Sequence, residues 1–310
     1  MKISKITLGT VQLGLNYGIN NVSGKPDSET SFAILDKARD GGINVFDTAS
    51  GYGDSETVIG NYIAARNISD IKIVTKYKLG EVSDVETALR ESAELSLEKL
   101  KIKSIDIYMS HDENEFFGFG SELYNTLKKL KSEHVIKRAG LSFGKRKYIT
   151  DEDIDKIIAS GVVEAVQLPF NLMDTASLRH GILKRLHENG IKIFARSIFL
   201  QGLFFKNPEN LPDGVLKNAY EPLKKLHGIS KEYNLSIIGL ALAYVRDVEE
   251  ISSLVIGAEK PEQIEEILQI ADTPKLPDEL RELITNAFID IDERIRMPWE
   301  WNKYKFTEVK

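Results

Sequence analysis

Four ionisable side chains stand where apolar runs stop. Asp47 closes the run in NVFDTASGYG, and Tyr52 follows in the same stretch. Lys76 closes IKIVTK and His111 closes IDIYMSH. Singly, each has an ordinary explanation: an Asx turn, an aromatic packed on a loop, a lysine reaching for solvent, a histidine filling a corner. Together they suit one kind of chemistry. A phenol with its ordinary pKa of about 10 is a poor proton donor at neutral pH. An ammonium close by favours the phenolate and draws that value down. Asp47, facing Lys76 from an adjacent strand, would keep the ammonium charged and in place. His111 could donate to an oxygen bound beside the tyrosine hydroxyl. Such a set gives a proton to a carbonyl oxygen while something else attacks the carbon. No Ser or Cys nucleophile pairs with His111, and no close His/Asp/Glu cluster suggests a metal. Hydride from a nicotinamide is then the attacking species.

The elements that must bring these groups together alternate along the chain. Short β-rich runs occur at KITLGT, NVFDTA, IKIVTKY, SIDIYMSH, KRAGLSF, VEAVQLPF, KIFARSIF and SSLVIGA. Between them lie segments with helical spacing of apolar residues, such as SETSFAILDKARDGG and SDVETALRESAELSLEKL. Ser83 or Asp84 opens one helix, and Gly41, Gly161 and Gly190 close others. Strands separated by helices make βαβ units and a parallel sheet, and strands apolar on both faces are buried on both sides. This many units close most naturally into a (β/α)8 TIM barrel. An open doubly wound sheet is the alternative, but no strand is followed by G-x-G-x-x-G. In a barrel, side chains at the C-terminal strand ends converge on one mouth. Period-two alternation puts His111 on the face of Ile105, Ile107 and Met109, with Asp106 and Tyr108 on the other.

The ordered set GGINVFDTASGYGDSE, IVTKY, IYMSHD and VIGAEKPEQIEE resembles the aldo-keto reductase family over nearly the whole chain. The resemblance implies one barrel over residues 1–310, with 278–310 as a C-terminal helix and aromatic tail. It implies a catalytic tetrad of Asp47, Tyr52, Lys76 and His111, with Tyr52 the general acid, acting on a small aldehyde or ketone. It also implies NADPH or NADH lying extended across the C-terminal face without a Rossmann domain. The cofactor contacts it suggests are Thr10, Asp47, Ser142, Gln167, Arg196, Ser197, Leu200, Gln201, Gly202, Gly257, Lys260, Gln263 and Glu266. Three positions depart from the family pattern. Phe143 stands for an asparagine in GLSFG, Arg196 stands for an aromatic that stacks on the nicotinamide, and Glu259 and Gln263 occupy positions that often hold an arginine for a 2′-phosphate. Lys260 is left as the cation for that phosphate, and NADPH is expected on its account, with NADH or dual use as the alternative. Arg196 would repel an oxidised nicotinamide and bias the site towards the reduced cofactor.

Two other readings use the same residues. A barrel that binds nicotinamide could serve as a regulatory or partner subunit. An aldolase or isomerase could use Lys76 as a Schiff-base amine, although its pairing with Asp47 would keep it protonated. The substrate walls expected are Phe116 and Phe117 in DENEFFGFGSE, the loop QLGLNYGINNVSGKPD, and Trp299 and Trp301 in RIRMPWEWNKYKF.

A formal charge of −6 with scattered basic residues argues against nucleic acid. The absence of cysteine excludes disulfides, thiolate metal sites and a cysteine nucleophile. No signal-peptide pattern opens the chain, and no apolar run reaches the ~18 residues a membrane span needs. A cytoplasmic protein is expected, monomeric or a small homo-oligomer.

Overall fold

The computed structural model describes residues 2–21, 24–144 and 148–301. Eight parallel strands form a closed barrel in chain order: β1 Ile6–Gly9, β2 Val45–Asp47, β3 Lys72–Tyr77, β4 Ile107–Ser110, β5 Ala139–Ser142, β6 Val163–Pro169, β7 Lys192–Arg196 and β8 Ser253–Gly257. Each coincides with one of the β-rich runs. Helices cover the outer face, and their ends follow local chemistry. In the helix Val85–Leu100 the carboxylate of Asp84 accepts from the Thr87 N–H at 3.0 Å. Val85, Leu89, Ala93, Ser96 and Leu100, three or four apart, are its buried stripe. Gly161 closes the helix Asp151–Ser160 in the left-handed region, at φ 63°.

The interior of the barrel explains how the mouth is built. Val45, Val74, Ile107, Met109, Ala165 and Phe194 form a separate apolar cluster inside the ring of strands. Alternation then fixes what comes one step further along each strand. Val45 is followed on its face by Asp47, Val74 by Lys76, Met109 by His111, Ala165 by Gln167 and Phe194 by Arg196. An apolar plug is therefore capped by a layer of polar residues from five of the eight strands, placed there by alternation alone. At the β1–β8 seam the layer has no side chains, because Gly9 pairs with Gly257.

Two expectations about the walls are corrected. The segment after His111, expected as a wall, is a helix, Glu113–Phe119. Phe116 is fully buried against Tyr124 with ring centroids 4.9 Å apart, and Phe117 packs on the same core, so neither faces the mouth. Near the C-terminus, after the helix Asp278–Ala287, a short helical turn Pro298–Trp301 separates the two tryptophans. Trp301 is buried and its Nε1 donates to the Arg294 carbonyl at 3.1 Å, so it anchors the segment and does not cap a substrate. Trp299 faces the mouth. The tail residues 302–310 lie outside the described residues. Among the described residues no helix is long and apolar enough to cross a membrane.

Candidate active site

A cavity of about 930 Å3 runs across the C-terminal face of the barrel, a size suited to a large organic ligand. Asp47, Tyr52 and His111 line one end; Gly257, Ala258, Glu259, Gln263, Glu266 and Ile267 line the other. Tyr52 is seated by backbone contact. A Cβ on Gly14 would lie 1.8 Å from the Tyr52 carbonyl oxygen, and one on Gly53 would lie 2.4 Å from the Gly14 carbonyl oxygen. The turn Val11–Gly14 therefore packs directly on the tyrosine loop, and glycine is required on both sides.

Lys76 is wholly buried. Its Nζ donates to both Asp47 carboxylate oxygens at 2.8 Å and to the Thr48 carbonyl at 2.9 Å, matching its three N–H donors. A lysine held this way does not line the cavity and has no lone pair for a carbonyl, which removes the Schiff-base reading. Its Nζ lies 5.1 Å from the centre of the Tyr52 phenol ring. Asp47 also accepts from Gln167 Nε2 at 2.8 Å, and Thr10 ties its hydroxyl to the Asp47 carbonyl at 2.8 Å. The pair is thus fixed by β1 and β6 as well as by its own strands.

His111 meets the Tyr52 ring edge to face, with centroids 5.6 Å apart. Burial, then the charges of Lys76, Arg196 and Lys78, push its imidazole down to about 3, against a small upward pull from Asp112. His111 is therefore neutral at physiological pH. It can donate a hydrogen bond from one ring nitrogen and accept one at the other, but it is not a cationic acid.

The other anticipated residues divide. Thr10, Ser142, Gln167, Arg196, Ser197, Gln201, Gly202, Gly257, Gln263 and Glu266 all line the cavity. Leu200 does not: its apolar side chain is buried in the core, anchoring a loop whose neighbours face inward. That loop is unusual. Ser197, Leu200 and Gln201 have φ of 61°, 47° and 53°, a left-handed conformation rare for residues with a Cβ and concentrated at ligand clamps. Lys260 is exposed and absent from the cavity wall. Its neighbour Glu259 takes that wall, and Gln263 Oε1 accepts from the Glu259 and Lys260 N–H groups at 2.7 and 3.1 Å. The two N–H groups that lead into the helix Pro261–Ala271 are thereby engaged.

Some lining residues carried no distinct signal in the sequence. Gln12 lies over Gly257, where a Cβ would come within 2.3 Å of its amide, and its buried Oε1 has no hydrogen-bond partner. Tyr17 faces Tyr52 and Arg196 from the β1 loop, and its hydroxyl accepts from Gln201 Nε2 at 3.0 Å. The same two loops meet twice more, through Ile19 N–H to the Gln201 carbonyl at 3.2 Å and Asn20 Nδ2 to the Gly202 carbonyl at 2.6 Å. Among the described residues no group of three His, Cys, Asp or Glu could hold a metal.

This barrel and polar mouth belong to a known class: the sequence matches the model of the aldo/keto reductase family over residues 5–287, and the chain is a member of that family. Membership implies carbonyl reduction with a nicotinamide cofactor. Among individual relatives, the NADH-specific methylglyoxal reductase of Escherichia coli (strain K12) is 26% identical over 85% of this chain and 92% of its own. The L-galactose dehydrogenase of Arabidopsis thaliana is 29% identical over 86% of this chain and 83% of its own. In three dimensions the chain resembles the holo form of the aldo-keto reductase AKR11C1 from Bacillus halodurans, with a TM-score of 0.73 at 23% identity and 95% of each chain covered.

Proposed function

We propose that the protein reduces a small aldehyde or ketone with NADH, with Tyr52 as the general acid. The observation that carries this reading is the meeting of four groups at one end of a long cavity: the buried Asp47–Lys76 pair, Tyr52 and a neutral His111. The residues present fit a nicotinamide dinucleotide. The cavity is large enough, Gly257 leaves the floor low enough for the Gln12 amide to lie across it, and the buried Gln12 Oε1, without a partner among the described residues, could accept from a donor such as a ribose hydroxyl.

The bound cofactor supplies the hydride. The protein's residues manage the proton. His111, being neutral, donates its N–H to the carbonyl oxygen and orients it. The Tyr52 hydroxyl, beside it, gives its proton to the same oxygen. Lys76 stabilises the phenolate left behind, across the 5.1 Å to the ring. Asp47 and Gln167 keep that ammonium charged and still.

NADH is preferred to NADPH because of the far end of the cavity. The described cations on its wall are Lys78, just after β3, and Arg196, at the end of β7, whereas Glu259 and Glu266 stand where β8 leads into its helix. A 2′-phosphate there would face carboxylates, while a ribose diol could donate to Glu259. The NADH specificity in the name of the Escherichia coli relative supports the same choice.

Fluorescence titration with both dinucleotides, followed by turnover on a panel of carbonyls, tests the proposal. NADH should bind at least ~10-fold more tightly than NADPH. Tyr52→Phe should lower kcat by ~100-fold or more, with NADH affinity kept within ~3-fold. Undiminished turnover in Tyr52→Phe would refute the assignment of the acid.

A further inference from the structure

We infer that Arg196 makes the cavity select the reduced form of the dinucleotide over the oxidised form, so that the enzyme runs as a reductase even where oxidised cofactor is in excess. The inference rests on the nicotinamide reading above and adds a direction to it.

Arg196 ends β7, one step above Phe194 of the apolar plug. Its guanidinium is fixed in the cavity wall. Nη2 donates to the Phe143 carbonyl at 2.8 Å and the Gly144 carbonyl at 3.4 Å, and Nη1 to Ser197 Oγ at 3.0 Å. All three acceptors are neutral, so none cancels the charge. Its field reaches Asp174, which also feels Arg296 and Arg179. The positive field extends over the catalytic end of the cavity, since Arg196 acts on both His111 and Tyr17.

A ring that passes hydride to a carbon held by Tyr52 and His111 must lie within that field. The polar ends of β5 and β6, Ser142 and Gln167, stand between Arg196 and the Asp47–Lys76 pair, with Gln167 donating to Asp47 at 2.8 Å. The two redox forms of a dinucleotide share every sugar and phosphate and differ by one positive charge on the ring. Their affinity ratio therefore isolates the effect of a cation beside it. Like charges about 5 Å apart at an effective dielectric of about 20 repel enough to separate two affinities by well over tenfold, and partial exposure leaves ~10- to 100-fold. Each tenfold raises the potential of the bound couple by about 30 mV, which favours capture of the reduced form and departure of the oxidised one.

The test measures dissociation constants for NADH and NAD+ on wild-type protein, Arg196→Gln and Arg196→Lys, with near-ultraviolet circular dichroism to confirm that each variant is folded. Wild type should bind NADH far more tightly than NAD+. Arg196→Gln should shrink that ratio by ~10-fold or more, and Arg196→Lys, which keeps the charge, should retain most of it. An unchanged ratio in Arg196→Gln would overturn this inference alone. Equal affinity for the two forms in wild type would overturn it as well. Binding of neither form by the wild type would overturn the nicotinamide reading and this inference with it.

Discussion

Lowering the pH from 7 to 5 should cost the protein about 2 kcal/mol of stability through His111 alone. An imidazole in the unfolded chain titrates near 6.5. In the folded protein burial, Lys76, Arg196 and Lys78 hold it down to about 3. Between those values the unfolded chain takes up a proton that the folded chain refuses, so stability falls as the pH falls. The contribution is whole above 6.5 and is lost by the time the pH has fallen through 3; at pH 5 the loss already amounts to about 2 kcal/mol. Asp174 works the other way. Burial pushes its carboxyl up to about 6, so the folded state holds the extra proton and gains stability over the same interval. Asp174 keeps some exposure, which discounts the gain, but a single pH curve would still blur the two. The difference between wild type and His111→Gln removes everything common to both. Urea unfolding at pH 7 and pH 5 should show wild type losing about 2 kcal/mol more than the variant. Parallel losses, or an imidazole resonance that titrates near 6.5, would refute the account of a neutral His111.

Lys76→Met should destabilise the fold by about 3–5 kcal/mol, because Asp47 would remain buried with Gln167 as its side-chain donor. Adding Asp47→Asn should recover part of that loss in denaturant titrations, and a loss under 1 kcal/mol for the single variant would contradict the buried pair. Glu259→Lys should move the NADPH-to-NADH affinity ratio towards NADPH by ~10-fold or more, read by fluorescence titration; no movement would mean that Glu259 does not meet the ribose. Trp301→Ala should cost about 3–5 kcal/mol of stability. Trp299→Ala should leave stability within ~1 kcal/mol and raise the KM for the carbonyl substrate, so matching effects in the two variants would undo the division drawn between them.

The barrel was legible because its signals are local and repeated. An apolar strand ending in a polar residue needs only alternation to place Asp47, Lys76, His111, Gln167 and Arg196 in one layer. Glycines and acidic caps mark helix ends with little help from tertiary structure, as Asp84 and Gly161 do. What escaped depends on which way a loop side chain turns. Leu200 and Gln201 are adjacent, both left-handed, and point to opposite sides because one is apolar and the core has room for it. Lys260 and Glu259 are likewise adjacent, and only the start of a helix decides that the acid faces in. Phe116 read as a pocket wall because its place just after His111 does not show that its helix turns it towards Tyr124 and the core. Gln12 had no marker beyond the glycine it covers.

The seam between the β1 and β7 loops is a weak closure as well as a wall. Three hydrogen bonds join loops that both line the cavity, and one of them is fully exposed to water. At about 1 kcal/mol each they leave the seam open in roughly one molecule in a hundred. A ligand long enough to pass from Tyr52 to Glu259 would then lie beneath a latch that is shut in nearly every molecule. The loss of any one of its three bonds would raise the open fraction about fivefold.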